Sequence, residues 1–251
     1  MNPPSSMTSL VTGATGYTGR HVIEQLCSLQ RPTIAHIRPD SSSLETCRPQ
    51  FESQGADVKV CPWTIEDFEA LLSDVRPDHL YYLVGTTRDR DRQSDEDLSY
   101  QAIDYGLLEI IVQASFRVGL RPRLIYLSAM GVKESARTAY YRARWRAEEL
   151  VRGSDLPYII ARPGMITGPD RPESRPMERL GGWLANGVGA ALNVVGASTL
   201  SRRYRATDGR ELATALVHWA AHPNPPKILE AEDLKYPALT DLDSPPPLDD
   251  P

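Results

Sequence analysis

The chain predicts an α/β fold built on a doubly wound parallel sheet, and three observations carry the prediction. Short apolar runs alternate with helical periodicities from residue 8 to residue 161, the β-α-β-α order of parallel strands joined by crossover helices. A near-continuous apolar run at 79–84 has the make-up of a strand covered on both faces. The first apolar run, Leu10-Val11, leads into three glycines spaced G-x-x-G-x-x-G, at Gly13, Gly16 and Gly19.

That glycine turn opens a helix with Val22, Ile23, Leu26 and Leu29 on its apolar face. Strand, glycine turn and helix together form the cradle of a dinucleotide pyrophosphate. Glycines let the backbone approach the phosphates, and the helix start points N–H groups and a positive dipole end at them. Taken alone, the spacing also suits an ordinary Gly- and Thr-rich turn.

The second strand, 33–38, ends in Arg38, followed by Asp40 and the serine run 41–43. In a Rossmann fold this position meets the adenosine ribose, where an arginine suits the 2′-phosphate of NADP and an acid the hydroxyl of NAD. Arg38 therefore favours NADP over NAD, with Asp40 close enough to oppose it. Residues 58–60 form a third strand, 65–72 a helix with Ile65, Phe68, Leu71 and Leu72 on one face, and 79–84 the fourth strand, stopping at Gly85-Thr86-Thr87-Arg88. The charged stretch 88–97 reads as a solvated loop. A helix at 103–118 closes on Gly119, a fifth strand follows at 123–128, a helix at 138–152 closes on Gly153, and a sixth strand lies at 158–161.

Past Gly164 the pattern is broken by Pro169, Pro172 and Pro176 before an apolar helix at 180–192, and 211–221 is the last helix. Ligands in such folds sit beyond the carboxyl ends of the strands. The domain prediction is thus one Rossmann domain over 7–236, a small C-terminal substrate-side cover at about 165–205, and a Pro- and Asp-rich tail, 237–251, too polar to pack.

Composition narrows the function. The 251 residues are 41% hydrophobic, enough for one sizeable core, and carry a net charge of −5, which offers nucleic acid no basic field. Three cysteines, Cys27, Cys47 and Cys61, lack metal or disulfide spacing, so no metal site is expected. No apolar run approaches the roughly 18 residues of a spanning helix, and residues 1–9 lack a secretory pattern, with Met7 an alternative start. The expectation is a cytoplasmic protein with a small-molecule substrate and neither membrane nor nucleic-acid partner.

A second constellation lies downstream. Ser128 ends the fifth strand, Tyr140 follows twelve residues later, and Arg144 stands four residues beyond, one turn along the helix. Such a set suits carbonyl–alcohol redox chemistry. The phenol exchanges a proton with the substrate oxygen, a neighbouring cation favours phenolate, and the serine hydroxyl holds the same oxygen. Tyr141 is the rival, but its i+4 residue is the uncharged Trp145. The spacing equally fits a helix with ordinary surface Tyr and Arg residues.

Together these segments resemble the atypical or extended short-chain dehydrogenase/reductases. The resemblance rests on T-G-A-T-G-Y-T-G (12–19), L-V-G-T-T-R (83–88), Y-L-S-A-M-G (126–131), the helix with Tyr140 and Arg144, and A-R-P-G (161–164). D-R-P-E-S-R-P (170–176) and the G-T-T-R run make the chain most similar to the Tat-interacting-protein oxidoreductases and their NmrA-like relatives. The resemblance implies an NAD(P)-binding oxidoreductase. Gly13, Gly16 and Gly19 would form the pyrophosphate turn, with Thr15, Tyr17 and Thr18 adding backbone contacts. Arg38 would sit by the 2′-phosphate, and Gly85, Thr86 and Thr87 along the cofactor. Ser128 and Tyr140 would be the catalytic pair, with Arg144 tuning the tyrosine, and Pro163 and Gly164 would pass beside the nicotinamide amide.

Three departures stand against simple transfer. Arg144 replaces the family's lysine, and a planar fork does not match a compact ammonium, although lysine is scarce throughout (Lys59, Lys133, Lys227 and Lys235). Cys61-Pro62-Trp63 replaces an aspartate expected after the third strand, and Asp104-Tyr105 an asparagine. Two functions follow: an NADP(H)-dependent oxidoreductase of small carbonyls or alcohols, or an NmrA-like protein that binds NADP(H) with little turnover. The helix at 139–152, with Arg142, Arg146 and Glu149, is charged on the face a four-helix dimer would use, so a monomer is expected.

Overall fold

The computed structural model describes residues 7–85, 105–168 and 207–235. The expectations for Thr86 and Thr87, the loop 88–97, the helix 180–192, most of the substrate-side cover and the tail 237–251 lie outside the described residues.

The predicted doubly wound sheet is the architecture observed. Strands β1 (Ser9–Thr12), β2 (Thr33–Ile37), β3 (Asp57–Val60), β4 (His79–Tyr82), β5 (Arg123–Leu127) and β6 (Tyr158–Ala161) form one parallel sheet with a short β9 (Ile228–Leu229), in the order β3-β2-β1-β4-β5-β6-β9. A two-residue pair, β7 (Ile166–Thr167) and β8 (Thr207–Asp208), stands apart from it. The crossover helices are α1 (Tyr17–Ser28), α2 (Leu44–Gln54), α3 (Ile65–Val75), α4 (Leu107–Arg117) and α5 (Ala139–Gly153), and α6 (Gly209–Ala221) follows β8.

Adjacent residues of each strand face opposite layers, as the period of two requires. Val11, Tyr81, Ile125 and Ile159 pack with Val22, Ile23 and Leu26 of α1, Phe51 of α2 and Leu212 and Leu216 of α6. Their neighbours Leu10, Leu80, Leu124 and Ile160 pack with Phe68 and Leu72 of α3, Leu108 and Ile111 of α4, and Ala147 and Val151 of α5. Both faces are dry, which is why these strands read as unbroken apolar runs.

Four elements differ from the sequence reading: helix α2 and the two-residue strands β7, β8 and β9. Helix α2 went unpredicted: it carries Pro49 inside and buries only Cys47 and Phe51, so its apolar stripe is too thin to read. Strand β9 is two residues long and exists only through its parallel pairing with β6 (Ile160↔Ile228, Ala161↔Leu229). The remaining boundaries shift by a few residues. Thr64 and Thr138 cap α3 and α5 by accepting the backbone N–H of Asp67 and Tyr141.

Candidate functional site

Because β1 to β6 are all parallel, the segments that leave their carboxyl ends emerge along one edge of the sheet. The glycine turn follows β1, Arg38 follows β2, Cys61 to Trp63 follow β3, Gly85 follows β4, Ser128 follows β5, and Arg162 to Gly164 follow β6.

The turn is built for backbone approach. Gly13 has φ +74°, and a β-carbon there would stand 2.7 Å from the main-chain carbonyl of Leu83. A β-carbon on Gly19 would collide with the Gly13 carbonyl oxygen. Gly16 N donates to Gly13 O at 3.0 Å, closing the turn. No side chain caps α1, whereas Thr64, Thr138 and Asp208 cap α3, α5 and α6, and no acid stands in the first turn of α1. A bare helix start with glycines packed tightly beneath it fits a pyrophosphate. Thr15 is half-buried and Thr18 is buried beside the turn. The Tyr17 side chain does more than the expected turn contact: its hydroxyl donates to the Thr167 carbonyl at 3.0 Å.

Arg38 is half-buried just past β2, and its Nη1 lies 3.6 Å from Oδ2 of the exposed Asp40. The acid foreseen as an opponent therefore pairs with it. Beside them, after β3, Trp63 stacks on Phe68 (4.7 Å between centroids) and meets the His36 ring edge-on at 5.0 Å. Burial pulls the His36 imidazole down to about 4, opposed by its Nε2–H bond to the Cys61 carbonyl at 2.9 Å. Burial likewise pushes the Cys61 thiol up to about 11.

On α5, Tyr140 is half-buried and Arg144 is buried. Arg144 Nη1 donates to the Leu127 carbonyl at 2.6 Å and to the Tyr126 hydroxyl at 3.3 Å. Its guanidinium carbon lies 5.5 Å from the Tyr140 ring centroid. The cation is thus fixed at the ends of β4 and β5, beside the tyrosine, as the spacing predicted.

Ser128 meets a different geometry from the one expected. Its hydroxyl donates to Glu148 Oε1 at 2.6 Å, so its proton is directed into the protein and away from a substrate oxygen. Glu148 is fully buried and was missed by sequence reasoning. Arg162 grips both its oxygens (Nε to Oε1 at 3.0 Å, Nη2 to Oε2 at 2.6 Å), Arg152 Nη2 adds a bond at 2.7 Å, and Arg162 Nη1 continues to Glu230 Oε1 at 3.0 Å. The available signal was Tyr140, Arg144 and Glu148 at i, i+4 and i+8 along one helix stripe. Beyond the strands the two loops stay joined: Ser128 N donates to Ala161 O at 2.7 Å and Met130 N to Pro163 O at 2.9 Å, which fixes Pro163 beside Gly164.

Comparison with known proteins speaks to the family and the fold. Residues 13–183 match a protein family described as NAD(P)H-binding. The mitochondrial protein fmp52-1 of Aspergillus terreus is 26% identical over 183 residues, 70% of this chain and 74% of that protein. The chloroplastic divinyl chlorophyllide a 8-vinyl-reductase of Oryza sativa subsp. indica is 29% identical over 174 residues, 64% of this chain and 40% of the reductase. Among solved structures, a candidate epimerase from Burkholderia cenocepacia J2315 is similar with TM-score 0.64 at 17% identity, covering 91% of this chain and 78% of that one. ChuY, an anaerobillin reductase from Escherichia coli O157:H7, gives 0.59 at 16% over 89% and 95% of the two chains. Leucoanthocyanidin reductase of Vitis vinifera, solved with NADPH, gives 0.50 at 23% over 63% and 50%. At these identities the structural likeness speaks for the fold.

The relatives correct one expectation. A cytoplasmic placement was read from the composition, whereas fmp52-1 is designated mitochondrial and the vinyl-reductase chloroplastic. Overall composition and cysteine spacing do not separate the cytosol from an organelle.

Proposed function

We propose, because this chain belongs to the NAD(P)H-binding family, that it is an NADP(H)-dependent oxidoreductase of a small carbonyl or alcohol. Within the short-chain dehydrogenase/reductases this reading groups it with the Tat-interacting-protein oxidoreductases and NmrA-like proteins. One observation carries it: Arg144 is clamped on the Leu127 carbonyl with its guanidinium 5.5 Å from the Tyr140 ring, on the edge of the sheet that holds the glycine turn. The turn from Gly13 to Gly19 would hold the pyrophosphate, Arg38 the 2′-phosphate, and the Pro163-Gly164 segment the nicotinamide end. When bound, the dinucleotide supplies or accepts a hydride. Tyr140 exchanges the accompanying proton with the substrate oxygen, and Arg144, its guanidinium carbon 5.5 Å from the ring centroid, holds the tyrosine's place. Ser128 serves the scaffold through Glu148, and orientation of the substrate oxygen falls to Tyr140.

The test is Tyr140→Phe. Carbonyl-dependent NADPH oxidation should fall by roughly 100-fold or more, while NADPH continues to raise the melting temperature. Undiminished turnover in the variant would remove Tyr140 from the chemistry. A second reading, an NADP(H)-binding protein with little catalysis, is favoured by the Ser128 hydroxyl being spent on Glu148. It holds if NADPH stabilises the protein and no member of a broad carbonyl panel is reduced.

A further inference from the structure

We propose that Tyr17 is a positioning residue that couples cofactor binding to the β7–β8 pair. The proposal rests on the dinucleotide reading of the glycine turn. Tyr17 is the first residue of α1, inside the turn that would hold the pyrophosphate. Its side chain leaves that turn and meets both the end of β7 and the start of α6, which follows β8. The hydroxyl donates to the carbonyl of Thr167, the last residue of β7, at 3.0 Å. The returning strand, β8, pairs with β7 through Ile166↔Thr207 and Thr167↔Asp208 and runs straight into α6 at Gly209.

The backbone at both ends is shaped around this ring. A β-carbon on Gly168 would run into the Tyr17 hydroxyl, and one on Gly209 would stand 2.5 Å from Tyr17 Cε1 and 2.5 Å from His21 Cδ2. His21, one turn along α1, packs edge-on against Tyr17 with ring centroids 4.8 Å apart. The end of β7 and the start of α6 are therefore both referenced to one side chain, and that side chain is rooted in the phosphate turn. Fixing the turn by a bound dinucleotide fixes the Tyr17 main chain, and through its ring and hydroxyl the β7–β8 pair. A ligand that binds one arrangement of a two-part element stabilises the other part by the same coupling.

The test is hydrogen exchange on the full chain with and without NADPH. In the wild type, NADPH slows exchange across 13–20 and also at Thr207, whose amide donates to the Met165 carbonyl at 2.8 Å. Tyr17→Phe keeps the ring against Gly209 and removes the hydroxyl. Slowing across 13–20 should persist, and the slowing at Thr207 should drop about fivefold, the equivalent of one neutral hydrogen bond. Gly209→Ala displaces the ring instead and should produce the same loss at Thr207. A merely structural tyrosine would change exchange in the free protein and leave the NADPH-dependent increment intact. An unchanged increment at Thr207 in both variants overturns the coupling. Absence of any NADPH effect across 13–20 in the wild type overturns the dinucleotide reading, and the coupling with it.

Discussion

Arg144 and Gly85 share one space: a β-carbon built on Gly85 would stand 2.7 Å from Arg144 Nη2. The guanidinium reaches the end of β4 because residue 85 has no side chain, and its other nitrogen is already held by the Leu127 carbonyl at 2.6 Å. Gly85→Ala should cost about 1–3 kcal/mol, the range for overpacking, and lower the melting temperature. Adding Arg144→Met should recover part of the loss. Strictly additive single and double variants would mean that the two positions do not touch.

Gly13 and Gly55 separate two meanings of a glycine at positive φ. Gly13 has φ +74° with the Leu83 carbonyl carbon 2.7 Å from its would-be β-carbon, whereas Gly55 has φ +95° with open space around it. Gly55→Ala should cost only backbone strain, about 1–2 kcal/mol, and leave NADPH binding intact. Gly13→Ala should abolish the NADPH-induced rise in melting temperature.

Glu148 is the most heavily bonded side chain near the site, taking bonds from Ser128, Arg152 and two nitrogens of Arg162. Glu148→Gln leaves the two arginines without their shared counter-charge and should cost about 3–5 kcal/mol in urea unfolding. Ser128→Ala removes one bond to a carboxylate and should cost about 1.5–3 kcal/mol. An equal and small effect from both would show that the network is held elsewhere.

His36 and His79 make the fold sensitive to acid. Burial is the main cause that holds each near 4, with nearby arginine charge adding to it, while an unfolded histidine titrates near 6.5. Between those values the unfolded chain binds more protons, so stability rises with pH. The stabilisation is full above about 6.5 and is lost as pH falls toward 4, on the order of 3 kcal/mol for each histidine. Melting temperature should fall steadily between pH 6.5 and 4. His36→Gln should flatten part of that slope, and an unchanged slope would place the acid sensitivity elsewhere.

Asp40 restrains Arg38 at 3.6 Å on an exposed surface. Asp40→Asn should tighten NADPH binding by roughly two- to fivefold, the span of an exposed ion pair, with little effect on NADH. Arg38→Ala should weaken NADPH more than NADH. Parallel changes for both cofactors would sink the 2′-phosphate role.

The central strands were legible because they are dry on both faces, the edge strand β3, half-exposed, by its Val58 and Val60, and the glycine turn because its spacing carries its geometry. Helix α2 was not, since Cys47 and Phe51 are too sparse to mark a stripe. The site was legible where it is local, as in Tyr140 and Arg144 on one helix. It was not where bonds cross elements. Ser128 and Arg162 meet on Glu148 from two different strands, and the Tyr17–Thr167 bond spans 150 residues. Side-chain direction at a strand end depends on what the next layer offers, and a buried carboxylate there outcompetes an open one-sided position.

The packing of Gly13 against Leu83 and Val84 sets an order of events during synthesis. Strand β1 sits inside the sheet, and its second neighbour, β4, pairs through Ser9↔His79 to Thr12↔Tyr82. A nascent chain that has not yet emerged to residue 85 carries every glycine of the turn and has no floor to set them on. Competence to hold a dinucleotide therefore arrives only once β4 has docked. A ligand present at that moment would favour the chains in which the centre of the sheet has assembled correctly.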